Sequence, residues 1–254
     1  MAVTATFVKH REPARPGSIP DRLQMFTREV RFYTEVAPSV GVRVPTAFRA
    51  EVRDGSTVLE LEDLSSWRAG ADPVAAARAL ASLHERWVGQ AEASWPWLPR
   101  PDASDLVGAL YEERWPVLRG RSDVTDAVRR IGDALVGEVS AVERVAHTAG
   151  HNTLTHGDAS APNLRTGPDG EVALLDWEDV GSGPGICDVA WFLMSSVEPA
   201  DWDRVLDAYG DASGLGEALP AISVQALLSL DGEEEGSVDA LEWIGCLEEA
   251  TGRL

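Results

Sequence analysis

The sequence predicts an α+β protein of two lobes, a small strand-rich one over residues 1–63 and a larger, mainly helical one over residues 64–254. Three observations carry this expectation. Residues 1–61 hold short apolar runs of strand type around a single amphipathic stretch. From residue 72 onward apolar residues recur at three- and four-residue spacing, the period of a helix with one buried face. Within that helical part, Gly167-Pro168-Asp169-Gly170 stands before the apolar run 172–175, a hairpin signal built from residues that tolerate positive φ or preset φ.

Taken in order, Thr6-Phe7-Val8-Lys9 reads as the first strand, and residues 29–36 (EVRFYTEV) as an amphipathic helical run. Residues 44–52 and 56–61 pair as a hairpin about Asp54-Gly55. Asp72 caps the next helix, with Pro73 in its first turn. Val74, Ala77, Leu80, Ala81, His84 and Trp87 line one face until Gly89 ends it. On that stripe His84 reads as a packed core histidine. Residues 90–103, with Trp95, Trp97 and Pro99, form an irregular connector. Two exposed tryptophans there could stack on a cation or a sugar face, although large aromatics more often serve as packing anchors. One long helix is predicted from Ser122 to Gly150 along Val124, Val128, Ile131, Leu135, Val139, Val142 and Ala146. Further helices follow near 189–196, 202–209, 219–230 and 238–250, with Glu233 to Glu235 in a solvated loop.

The densest chemistry lies in residues 156–188, HGDASAPNLRTGPDGEVALLDWEDVGSGPGICD. Asp158 and Asn163 are close enough for one loop to carry both, and the apolar run 172–175 delivers Asp176 from a strand end. The hairpin would bring Asn163 and Asp176 to neighbouring strand ends near Asp158. An amide oxygen and a carboxylate are hard ligands suited to Mg²⁺, which takes its other oxygens from water and nucleotide phosphates. Asp158 would then be free to orient an acceptor hydroxyl and take its proton. Singly, each residue has a plainer use as a turn cap, a loop bond or a strand end. The three together, with His156 and Gly157 ahead of the first acid, favour the chemical reading.

Among the 22 Lys and Arg, Lys9 is the only lysine. A compact ammonium on a flexible stem fits phosphate oxygens in a narrow cleft more readily than a planar guanidinium does.

Residues 156–188 resemble the catalytic core of the aminoglycoside phosphotransferase and choline kinase family, small-molecule kinases with a protein-kinase-like fold. The resemblance rests on HGD, on Asn five residues later, and on an apolar strand ending in Asp-Trp. It implies that Asp158 is the catalytic base and that Asn163 and Asp176 hold Mg²⁺. Asp188, in CDVAWF, would bond the catalytic-loop backbone, and His156 would brace the loop. It also implies that Lys9 binds the phosphates of ATP and that Glu29, followed by Phe32-Tyr33, orients that lysine; a solvated helix face is the plainer use of Glu29. The string VLELEDL resembles the family's adenine-reading hinge, which places Glu62 and Leu64 at the nucleotide. Only eight residues precede Lys9, where kinases of this fold place two strands and a glycine-bearing loop, so the nucleotide lobe is expected to be truncated. Ala159 and Ser160 stand where the family often has an apolar residue and His.

Eleven residues separate Asp176 from Asp188, too few for a regulatory phosphosite and a peptide platform, so the acceptor is expected to be a small molecule. A formal charge of -20 with a pI near 4.5 argues against nucleic acid as a partner. An acidic cleft would concentrate a cationic acceptor; solubility alone is the commoner reason for such a surface. No apolar run approaches the roughly 20 residues that span a bilayer, the N-terminus lacks signal-peptide form, and Cys187 and Cys246 suggest neither a disulfide framework nor a zinc site. A cytoplasmic, ATP-dependent and Mg²⁺-dependent O-phosphotransferase is expected, with a non-catalytic nucleotide-binding or interaction protein as the alternative.

Overall fold

The computed structural model describes residues 5–99 and 106–253. The N-terminal part is a three-stranded antiparallel sheet of order β1-β3-β2, where β1 is Thr6–Arg11, β2 Ala47–Arg53 and β3 Ser56–Glu62. Asp54 (φ 50) and Gly55 (φ 83) both take left-handed backbone between paired Arg53 and Ser56, the two-residue turn whose twist suits a hairpin. Between β1 and β2 run a short helix α1 (Ile19–Arg22), helix α2 (Met25–Arg31) and a π-helical turn, Phe32–Val36. The amphipathic run therefore begins four residues before Glu29. Val30, Phe32, Tyr33 and Val36 are buried against Leu59 and Leu61 on the inner face of the sheet.

Past the Asp63–Ser66 connection comes β4 (Arg68–Ala69), then α3 (Pro73–Trp87). Asp72 caps α3 as expected, accepting from the N–H groups of Val74 (3.0 Å) and Ala75 (3.1 Å). A short α4 (Ala91–Ser94) follows, and the expected connector continues to residue 99; its residues 100–103 lie outside the described ones. Trp95 is buried, and its indole lies 4.5 Å from that of Trp87. Trp97 carries the Arg31 guanidinium 4.2 Å over its ring and donates to Glu35 Oε2. Both tryptophans are packing anchors.

Helix α5 (Leu106–Arg119), with Pro116 inside it, has no counterpart in the sequence reading. The single long helix expected over 122–150 is two, α6 (Asp126–Leu135) and α7 (Val139–Ala146). Gly137 (φ 77) sits just past the first, where a left-handed glycine ends a helix. The apolar stripe survives the break because Val128, Ile131, Leu135, Val139 and Ala146 are all buried.

Then come β5 (Asn152–Thr155), β6 (Leu164–Thr166), β7 (Val172–Leu174) and β8 (Gly181–Pro184). They form a β4-β6-β7 sheet and a β5-β8 pair, all antiparallel. Helix α8 (Gly185–Ser196) runs through the centre of the larger lobe, burying Val189, Ala190, Phe192, Leu193 and Met194 beside the charged Asp188. It packs against α3, α10 (Leu215–Ser229) and α11 (Val238–Arg253), while α9 (Trp202–Tyr209) lies along α3. Among the described residues no helix is long and apolar enough to cross a membrane.

Candidate active site

The expected hairpin forms. Leu164 pairs with Leu174, and the Leu175 N–H donates to the Asn163 carbonyl at 2.9 Å, so the residues before and after the hairpin share one end of it. Asn163 turns its side chain toward the preceding loop, where Nδ2 donates to Asp158 Oδ2 at 2.8 Å and to the Asp158 carbonyl at 3.0 Å. The other oxygen, Asp158 Oδ1, accepts from Trp191 Nε1 at 2.7 Å. Both oxygens of one half-buried carboxylate are thus held by donors from separate elements.

The loop beneath is fixed from α8. Asp188, 3% exposed, accepts from the His156 N–H (2.6 Å) and the Gly157 N–H (2.9 Å), and from His84 Nε2 at 3.1 Å. Burial alone would raise this carboxyl. The His84 hydrogen bond and charge, with His156, outweigh it and hold it below the usual carboxylate range. A carboxylate only accepts, so His84 carries hydrogen on Nε2, and its Nδ1 lies 2.9 Å from the Tyr209 hydroxyl. His156 is fully buried; burial lowers its pKa, against the pull of Asp188 and Asp158. Its Nε2 faces the Leu175 carbonyl at 2.9 Å and so bears the hydrogen, leaving Nδ1 for the Asp158 N–H at 3.3 Å.

Gly157 takes φ 85, and a Cβ there would stand 2.3 Å from the Asp179 carbonyl oxygen. Replacement meets backbone and strain together. Gly157→Ala is expected to lower stability by about 2 kcal/mol or more and to displace Asp158; a melting temperature equal to that of the unaltered protein would count against this packing.

Across the cleft, β1 alternation places Phe7, Lys9 and Arg11 on the inner face. Lys9 Nζ lies 2.8 Å from Glu29 Oε2, 2.7 Å from Asp176 Oδ1 and 3.5 Å from Glu178 Oε2. Arg11 also binds Glu178, at 2.7 Å. Asp176 has left-handed backbone (φ 59) without being glycine, a strained conformation of the kind concentrated at functional sites. Trp177 next to it is buried, stacked on Phe32 at 4.0 Å and 4.4 Å from the His156 ring.

Burial would lower the Lys9 ammonium, yet Glu29 and Asp176 outweigh it and hold it above 10.5. Glu29 is less fully compensated. Its burial, reinforced by the charges of Asp176 and Glu178, pushes the carboxyl to about 7 in spite of Lys9. The fold thus favours neutral Glu29, and that stabilisation is complete in acid and fades as pH rises from about 4.5 through about 7. Glu29→Gln mimics the neutral form. Its melting temperature relative to the unaltered protein is expected to climb between pH 5 and pH 8; a flat or falling difference would contradict this.

Phe7, Lys9, Glu29, Tyr33, Leu64 and Asp176 line one cleft of about 330 Å³, together with Glu62 and Asn163. The expected site residues Lys9, Glu29, Glu62, Leu64, Asn163 and Asp176 therefore share a cavity wall, while Asp158 joins it through Asn163. The Glu62 carboxylate is turned to Arg43 (2.6 Å) and the Thr46 N–H (3.1 Å), so side-chain contact with a ligand is not its use in this arrangement. Leu64 is buried, and its carbonyl accepts from the Trp67 N–H.

Several contacting residues escaped the sequence reading. Trp191 was visible only as the aromatic three residues past Asp188. Glu178, two past Asp176, binds both Lys9 and Arg11. Burial raises the Asp179 carboxyl to about 6 against the pull of Arg28.

The donor chemistry suits a hard divalent ion. The Asn163 nitrogen is committed to Asp158, which leaves its oxygen, and carboxylate oxygens of Glu29, Asp176 and Glu178 lie within 4.8 Å of one another.

A strand-rich lobe carrying the Lys9–Glu29 pair and a helical lobe carrying the Asp158 loop make up a protein-kinase-like fold. Residues 7–223 match the profile of the phosphotransferase enzyme family, and the chain belongs to that family. Among solved structures, an aminoglycoside phosphotransferase from Streptomyces rimosus superposes with a TM-score of 0.60 at 13% identity, covering 87% of this chain and 85% of that one. The choline kinase LicA from Streptococcus pneumoniae gives 0.55 at 15% identity, covering 97% and 86%. A spectinomycin phosphotransferase in complex with ADP and its antibiotic gives 0.55 at 12% identity, covering 98% and 86%. At these identities the likeness is one of fold. Among curated proteins no sequence match is found.

Proposed function

We propose that the protein transfers the γ-phosphate of ATP to a hydroxyl of a small molecule. The observation that carries this is the pairing of Lys9 with Glu29 and Asp176 in a cleft whose wall continues through Asn163 to Asp158. Residues 1–63 would serve as the nucleotide lobe and residues 64–254 as the acceptor lobe. The backbone from Glu62 to Leu64 would read the adenine edge.

Asp176 and Asn163 would hold Mg²⁺, which when bound neutralises charge on the transferring phosphate oxygens. Lys9 would keep Glu29 and exchange Asp176 for phosphate oxygens. Asp158, its two oxygens oriented by Trp191 and Asn163, would align the acceptor hydroxyl and take its proton as the new P–O bond forms and the bond from the γ-phosphorus to the bridging oxygen breaks, releasing ADP. The acidity of the chain favours a cationic acceptor over an anionic one. We place this activity in the cytoplasm.

The test is a thermal-shift titration with ATP and Mg²⁺ beside an acceptor screen read as a mass gain of one phosphate. Binding with phosphorylation of an aminoglycoside, amino alcohol or related hydroxyl compound is the expected result. Binding without transfer to any acceptor would favour a non-catalytic nucleotide-binding protein, and no binding would sink the proposal.

A further inference from the structure

Tyr33 combines three properties that are seldom found together. The residue is 4% exposed, it lines the cleft with Lys9, Glu29 and Asp176, and its hydroxyl has no hydrogen-bond partner among the described residues. A buried hydroxyl without an acceptor costs on the order of 1–3 kcal/mol. Native interiors rarely leave one without a reason.

The hydroxyl itself is buried, and the phenol ring is packed against its neighbours. The ring meets Phe32 edge-on at 5.2 Å and 80°, and Phe32 is clamped flat against Trp177, the neighbour of Asp176. Tyr33 sits four residues after Glu29, where α2 passes into its π-helical turn, so the two share a helix face. Such turns recur where side chains must be aimed at a site. Burial, then the charges of Glu29 and Asp176, raise the phenol well above its ordinary range, so at neutral pH it is a donor. Arg11 Nε and His147 Nε2 also lack partners, but neither residue lines the cleft.

Resting on the phosphotransferase reading, we propose that the Tyr33 hydroxyl is a binding group for the phosphate end of the nucleotide. It is a donor kept for an anionic phosphate oxygen, met directly or through a water of the metal's shell. The charges that act on it are those of Glu29 and Asp176, the two carboxylates paired with Lys9.

Tyr33→Phe removes only the oxygen. Melting of the ligand-free protein, and calorimetric titration with adenosine, with ADP, and with ADP plus Mg²⁺, give the test. The ligand-free melting temperature should stay or rise, adenosine should bind both proteins alike, and ADP affinity should fall on the order of tenfold, as for one hydrogen bond to a charged acceptor. A loss confined to ADP with Mg²⁺ supports the site with a metal-shell water as the acceptor. A lower ligand-free melting temperature, an equal loss for adenosine, or unchanged ADP affinity overturns the proposal while leaving the phosphotransferase reading intact. Failure of the unaltered protein to bind ADP with Mg²⁺ overturns both.

Discussion

Asp158→Asn is expected to lower turnover by about 10²- to 10⁴-fold, the range a positioned proton acceptor contributes, with affinity for Mg²⁺ and ATP nearly unchanged. The two effects separate because the groups do. Asp158 reaches the cleft only through Asn163, whereas Lys9, Glu29 and Asp176 stand on its wall. The variant has a local cost, since both Asp158 oxygens now accept from N–H donors, Trp191 Nε1 and Asn163 Nδ2. An amide offers one acceptor and must set its own nitrogen against the other donor, a mismatch worth about 1–3 kcal/mol. A modest fall in melting temperature should therefore accompany the loss of turnover. Single-turnover rates beside calorimetric titration would check this. Retained turnover would remove Asp158 from the chemistry.

The site was legible where spacing along the chain dictates spacing in the fold. Asn163 and Asp176 flank a hairpin whose turn residues announce it, so their approach follows from local register. Lys9 and Glu29 became visible through a compositional oddity, one lysine among arginines, and a resemblance; their 2.8 Å contact depends on packing that no local pattern encodes. Trp191 illustrates the limit. Its indole reaches Asp158, 33 residues back, through the packing of α8 against the loop, a tertiary contact that no local spacing encodes. The break at Gly137 was hidden because the apolar stripe keeps phase across it, and burial on both sides follows the stripe whether or not the helix is continuous. Helix α5 left a faint signal. Its apolar and polar residues are weakly segregated and Pro116 interrupts the pattern, so tertiary contacts of Tyr111, Trp115 and Leu118 decide its state.

Asp188→Ala should destabilise the fold by about 3–5 kcal/mol, the cost of breaking a buried charge network, and abolish turnover although Asp188 touches no substrate. Its carboxylate is the acceptor for the His156 N–H, the Gly157 N–H and His84 Nε2, with both histidines buried and Gly157 partly so. Removing it leaves three donors without a partner, and the loop that presents Asp158 loses its anchor. Asp188→Asn keeps the volume but can satisfy only part of the set, so an intermediate loss is expected. The pH dependence gives the cause its signature. The folded-state carboxyl lies below its ordinary 3.8, so its stabilisation is complete above the unfolded value and is lost as pH falls through the lower folded one. The stability gap between the unaltered protein and Asp188→Asn should thus be widest at neutral pH and shrink in acid, below about pH 4. Denaturant unfolding of both proteins at pH 7, 5 and 3.5 would read it. A gap that stays constant would mean that shape, and not ionised Asp188, holds the loop.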